Sequence, residues 1–243
     1  MHETWRLYKT NFVDNLKLFV PLLAVAFLIP ELLGLVDDPD PNTSILYTSM
    51  AILLGLVLPT LIGSYLVAAS HVVMADRLAG RYSTPAAALR TLRGVTKELL
   101  SAAFLATTLV LLVSLLPVLN FARTVMWGPP ILISAVALEH LPVPQAWGVS
   151  RGRLGGNWGR VLLFLLVVGL VTTIIQLLLY TPIVYLDIDG AAALAVSSLS
   201  SVLVASLTLP FVAAATLVAY FDVRARENGF GLDELREERG RIT

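Results

Sequence analysis

Runs of twenty or more residues with almost no charge recur along the chain, at 16–35, 45–74, 99–119, 161–186 and 191–221. A helix needs about 20 mostly apolar residues to cross roughly 30 Å of hydrocarbon, and in lipid only a helix or a closed barrel satisfies its own backbone. Such runs predict an all-α integral membrane protein. Composition agrees, with 57% apolar and 14% charged residues against about 25% charged in an ordinary soluble domain. A sixth run, 125–138, is short and contains Gly128, Pro129 and Pro130. At that length a crossing segment and a re-entrant one read alike.

The basic residues decide the count. With six spans and both ends of the chain on one side, all but Arg123 of the 17 Lys and Arg fall near that side. They cluster before the first span (Arg6, Lys9), between the second and third (Arg77, Arg81, Arg90, Arg93, Lys97), between the fourth and fifth (Arg151, Arg153, Arg160) and in the tail. The opposite side is acidic, through Asp37, Asp38, Asp40, Asp187 and Asp189. Five spans would leave the tail's arginines outside, against the positive-inside rule. The expectation is six helices with both termini cytoplasmic: a single membrane domain over 1–230 and a charged, exposed tail helix over 231–243. The first 15 residues are charged throughout and lack a cleavable apolar core, so the first span is expected to stay in place.

A hairpin unit recurs. Trp5, Arg6, Tyr8, Asn11 and Phe12 precede the first span, and Arg151, Arg153, Asn157 and Trp158 precede the fifth at the same offset. Arg90, Arg93 and Thr96 precede the third in a weaker version. Each mixes cations with bulky apolar residues, as expected of a short helix lying in the headgroup layer. Gly94, Gly152, Gly155 and Gly156 are placed to let such a helix bend into its span. The second helix of each pair puts a proline ahead of small residues, at Pro59, Pro129 and Pro210, and His71 and Asp222 follow Pro59 and Pro210 at the same distance. The unit is read as interfacial helix, span, short turn and kinked span, used three times as pseudo-repeats.

Gly128–Glu139, Gln145–Arg151, Gly156–Leu162 and the closing Ala219–Asp233 together resemble the membrane domain attached to some bacterial glycerophosphoryl diester phosphodiesterases, a family with many free-standing multi-pass members of unassigned activity. The likeness extends over nearly the whole chain. It implies a six-helix, multi-pass protein of a prokaryotic inner (plasma) membrane and does not imply hydrolysis, which in the fused members belongs to a separate soluble barrel. No catalytic residue carries over.

The chain has no cysteine and three scattered histidines, His2, His71 and His140, so no thiolate chemistry, metal centre or cofactor is expected. Net charge is zero, leaving no electrostatic footprint for nucleic acid. Candidate contacts to anionic lipid are Arg6, Lys9, Arg90, Arg93, Lys97, Arg151, Arg153 and Arg160. Candidate members of a helix-end polar network are His71, Glu139, Asp222 and Arg224, for which a structural role weighs more than a proton relay. Serines and threonines in the spans serve either close helix packing or a polar path. The expected function is that of a non-enzymatic, membrane-organising or partner- and lipid-binding module. The alternative is a carrier or channel for a lipid or small amphiphile. Anionic headgroups are the expected partners, with a protein partner or a second copy left open.

Overall fold

The computed structural model describes residues 2–34, 41–114, 129–184 and 190–242, and nearly all of them are helical. In chain order the helices are α1 (His2–Gly34), α2 (Pro41–Leu78), α3 (Pro85–Leu92), a 3-10 turn (Arg93–Val95), α4 (Thr96–Ser114), α5 (Pro129–Glu139), α6 (Val143–Gly155), α7 (Trp158–Val184), α8 (Gly190–Asn228) and α9 (Leu232–Ile242). Among the described residues there is no strand.

Four stretches are long and apolar enough to cross a membrane: Thr4–Pro30, Ile45–Leu78, Trp158–Leu179 and Ala195–Glu227. They make the chain a helical membrane protein. The expected third and fourth spans fall partly on 115–128, outside the described residues. The described part of the fourth is the 11-residue α5, which at 1.5 Å per residue is about 16 Å long.

The ends of the helices follow their sequences. Thr84 caps α3, its side chain accepting from the Ala87 amide at 3.2 Å, with Pro85 in the first turn, where its missing N–H costs nothing. Gly80 and Gly229 take φ of +79° and +65° and turn the chain out of α2 and α8 at one end of the bundle, as C-terminal glycines do. α5 stops instead on His140, a non-glycine residue at φ 54°, followed by Pro142.

One expected break is absent. The segment before the first span is not a separate interfacial helix, because α1 runs unbroken from His2 through the span. Residues 11–16 contain neither glycine nor proline, and Thr10 and Asn11 hydrogen-bond the carbonyls of Arg6 and Leu7 at 2.9 and 2.8 Å. The corresponding segments before α4 and α7 are separate helices, α3 and α6, and their joints fall at Gly94 and at Gly156 and Asn157.

α1 lies along both α2 and α8, α5 packs against α2, α4, α6 and α8, and α7 leans on α8. The core sits toward the end of the bundle that carries Gly80 and Gly229, here called the charged end. It is made from Leu66, Ala68, Ala69 and Val72 of α2, Leu132, Ala135 and Val136 of α5, and Ala213, Ala214 and Leu217 of α8. The small residues let the backbones approach, which is how helices associate in lipid, where burial from water gives no drive between them. Gly63 of α2 is one such contact, since a Cβ there would stand 3.5 Å from Leu209.

The tail helix α9 forms but is not simply solvated. Leu235 and Arg239 are 3% and 1% exposed, and α9 docks back on α2. Its charges recur so that one side turns inward, and that side meets a buried carboxylate.

Candidate functional site

At the charged end the chain buries a network of ions. Glu139 ends α5, and the turn through His140 and Pro142 brings α6 back beside it. Arg153 of α6 reaches Glu139 with both terminal nitrogens and Glu227 with Nε at 3.2 Å. The Tyr220 hydroxyl donates to Glu139. Arg224 donates to Glu238 of α9 at 2.9 Å and to the Tyr220 oxygen at 3.2 Å, lies 4.0 Å from Glu139 and stacks over Phe230 at 3.7 Å. Next to it, Arg239 of α9 donates to Asp76 of α2 at 2.7 Å. Burial of Glu139 opposes its ionisation, but the hydrogen bonds from Arg153 and Tyr220 and the charges of Arg153 and Arg224 outweigh it and hold the carboxyl below its ordinary value of 4.5. Burial likewise disfavours the charged Arg153, and the bond to Glu139 overcomes it and raises the guanidinium's value. His140 is lowered, first by burial and then by the charge of Arg239.

Of the residues expected in a helix-end network, the structure brings Glu139 and Arg224 together. Asp222 stays on the rim, bonded to Arg226 at 3.1 Å and 4.0 Å from Arg160. His71 belongs to a different, deeper cluster. Its Nε2 lies 3.0 Å from the Ala213 carbonyl and 3.0 Å from Thr216 Oγ1, and its Nδ1 lies 3.3 Å from Ser134 Oγ. The carbonyl accepts from Nε2–H and the serine donates to Nδ1, so one neutral tautomer is satisfied on both sides. Reading the sequence missed Tyr220, Glu227, Glu238 and Arg239. Arg224 and Glu238 are separated by a glycine-punctuated turn, which is the one local hint that they meet.

Of the residues expected to face lipid, Arg6, Lys9, Arg90, Arg93, Lys97, Arg151 and Arg160 are exposed. Lys9 lies over the Trp5 ring at 4.9 Å. Arg153 differs: it is 8% exposed and paired with Glu139 and Glu227, because the turn through His140 and Pro142 lays α6 back beside the end of α5. Arg93 and Lys97 have no carboxylate partner among the described residues.

Beside Arg93 runs a groove of about 440 Å³. Leu22 of α1, Leu61, Ile62 and Leu66 of α2, and Leu89 and Leu100 of α3 and α4 form its walls. Its polar margin is Arg93, Thr96 and Tyr65, with the two hydroxyls 3.3 Å apart. A long apolar trough with a cation and two hydroxyls on one edge has the amphipathic pattern of a lipid, tail and headgroup.

Two further cavities lie between the helices. One, of about 490 Å³, is lined by Leu23 and Phe27 of α1, Pro59 and Thr60 of α2, Gln176 of α7, and Ser201, Thr208 and Leu209 of α8. The other, of about 310 Å³, takes Pro59, Thr60, Gly63, Ser64, Ile133, Leu209 and Thr216 and ends on His71. They share Pro59, Thr60 and Leu209. The bundle is thus packed with alanine, leucine and valine at the charged end, with open clefts between the helices beyond His71.

No family model, curated protein or solved structure matches the chain. Among the described residues no three His, Asp or Glu side chains come together as metal ligands.

Proposed function

We propose that this chain is a non-enzymatic, six-span membrane protein that binds anionic lipid at its charged end, with both termini in the cytoplasm of a prokaryotic cell. The observation that carries the reading is the groove beside Arg93, where an apolar trough meets two hydroxyls and a guanidinium without a carboxylate partner among the described residues. An acyl chain between Leu22, Leu61 and Leu100 would place a phosphate at Arg93, with Arg90 and Lys97 adding field from either side. Each such cation near an anionic surface is worth about 1 kcal/mol. The positive-inside distribution supports the orientation, and the glycine joints ahead of α4 and α7 support the repeated unit. The likeness to the membrane domain of glycerophosphoryl diester phosphodiesterases belongs to the same proposal and adds no activity to it.

The test is lipid binding by the detergent-purified chain titrated with phosphatidylglycerol or phosphatidylcholine. Phosphatidylglycerol should bind more tightly, and replacing Arg90, Arg93 and Lys97 together with glutamine should remove the preference. An unchanged preference in that variant would overturn the groove as the site.

A further inference from the structure

The neighbouring cavities beyond His71 are lined by polar groups that have no hydrogen-bond partner among the described residues. Gln176 lies on α7, in a run of leucine, isoleucine and valine, is exposed on the surface of the bundle and forms part of the rim of the larger cavity. Ser64 of α2 lines the smaller one. Neither side chain makes a hydrogen bond among the described residues. At membrane depth an unpaired amide or hydroxyl has no water to turn to and is costly. The shared residues Pro59, Thr60 and Leu209 make the two spaces neighbours, so one elongated molecule can reach both groups.

The lining also says what that molecule is. Among the described residues no carboxylate, lysine or arginine lines either cavity. His71, the one ionisable side chain, has both ring nitrogens engaged by Ala213, Thr216 and Ser134. An ion there would have no counter-charge. The walls between the polar points are Leu23, Phe27, Val204 and Leu209, suited to methylene groups. Volumes of about 490 and 310 Å³ lie within the range of small-molecule sites, about 300–1,000 Å³.

We propose that the two neighbouring cavities together bind one uncharged, hydroxyl-headed amphiphile, a long-chain alcohol or a monoacylglycerol, with Gln176 and Ser64 as the groups that recognise it. The site is separate from the Arg93 groove and does not depend on anionic lipid.

The test uses the full chain in phosphatidylcholine nanodiscs and a diazirine-bearing hexadecanol, with crosslinked residues mapped by mass spectrometry. Labelling is expected on α8 near Val204 and Leu209 and on α1 near Leu23 and Phe27. Unlabelled hexadecanol should compete, and palmitate should not. Gln176→Leu and Ser64→Ala should each weaken competition about five-fold, the factor for one hydrogen bond of ordinary net strength. Ala205→Phe, which fills the larger cavity, should abolish labelling there. Gln176→Leu replaces an exposed side chain that makes no hydrogen bond among the described residues, so it keeps the test alive if Ala205→Phe fails to fold. The proposal is overturned if labelling falls on the outward face of α7 at Leu170 and Leu178 without competition, if palmitate competes as well as hexadecanol, or if Gln176→Leu changes nothing.

Discussion

The half of the bundle at the charged end and the half beyond Pro59 are built from the same residue types and packed differently. In α2, Leu66 to Asp76 are buried without interruption, whereas Ile45, Leu46, Ile52 and Leu53 are exposed. The contrast holds between helices as well: 61% of the apolar window of α8 is buried and only 12% of that of the more apolar α7. Apolar content brings a helix into the bilayer and says little about what it touches there. What separates the two halves is the spacing of alanines and glycines, which permits contact, and the ion pairs that tie α5, α6, α8 and α9 together.

The largest break in this contrast should come from Glu139→Gln. It leaves Arg153 and the Tyr220 hydroxyl facing a neutral amide, and stranding one member of a buried ion pair costs about 3–5 kcal/mol. Thermal unfolding in detergent should drop accordingly, and a loss under about 1 kcal/mol would show that the network does not hold this end together.

Next comes a matched pair. Leu217→Ala opens a void in the packed half and should cost about 2 kcal/mol, whereas Leu178→Ala on the outward side of α7 should change stability by less than about 0.5 kcal/mol. Equal effects would erase the distinction between the regions.

A smaller, local effect is expected from Arg239→Gln. It leaves Asp76 buried without its ion-pair partner and should release α9 while the spans stay folded. Limited proteolysis of the C-terminal segment should speed up several-fold with the melting temperature of the spans little changed. Cleavage at the wild-type rate would mean that α9 is held by Leu235 and Arg224 without this pair.

Much of this architecture is legible in the residues themselves. The apolar runs locate the long helices, and Gly94 and Gly156 mark the joints ahead of α4 and α7. The continuous α1 was not legible, because the aromatic and basic pattern before its span repeats that of α6 while the glycines that break α6 have no counterpart. The inward turn of Arg153 was not legible either. An arginine beside a membrane reads alike whether it meets a phosphate or a carboxylate, and only the return of α6 along the end of α5 decides. The docking of α9 depends on Asp76 and Arg239, far apart in sequence and each unremarkable alone. The cavities come from the relative placement of Pro59 and Leu209, which no local pattern encodes.

The smallest effect concerns acidity at the same end. Burial, then the charge of Arg239, sets the folded value of His140 below its ordinary 6.5. Folding therefore favours the neutral ring. That contribution is complete above about pH 6.5 and is lost as pH falls through the unfolded value toward the folded one. Glu139, lowered from 4.5, keeps its contribution until the pH drops below that value, so the two are separable. The melting temperature should decline modestly between pH 7 and 5. His140→Asn, which tolerates the left-handed backbone at that position, should flatten the decline. A slope unchanged in the variant would place its origin elsewhere.

The central claim, that the charged end binds anionic lipid, is tested most directly by native mass spectrometry of the protein extracted gently from its own membranes, with bound species identified. The account predicts a protomer or homo-oligomer retaining an anionic phospholipid that is lost when Arg90, Arg93 and Lys97 are changed to glutamine. A stoichiometric second protein with no retained lipid would contradict it and make the charged end a surface for that partner.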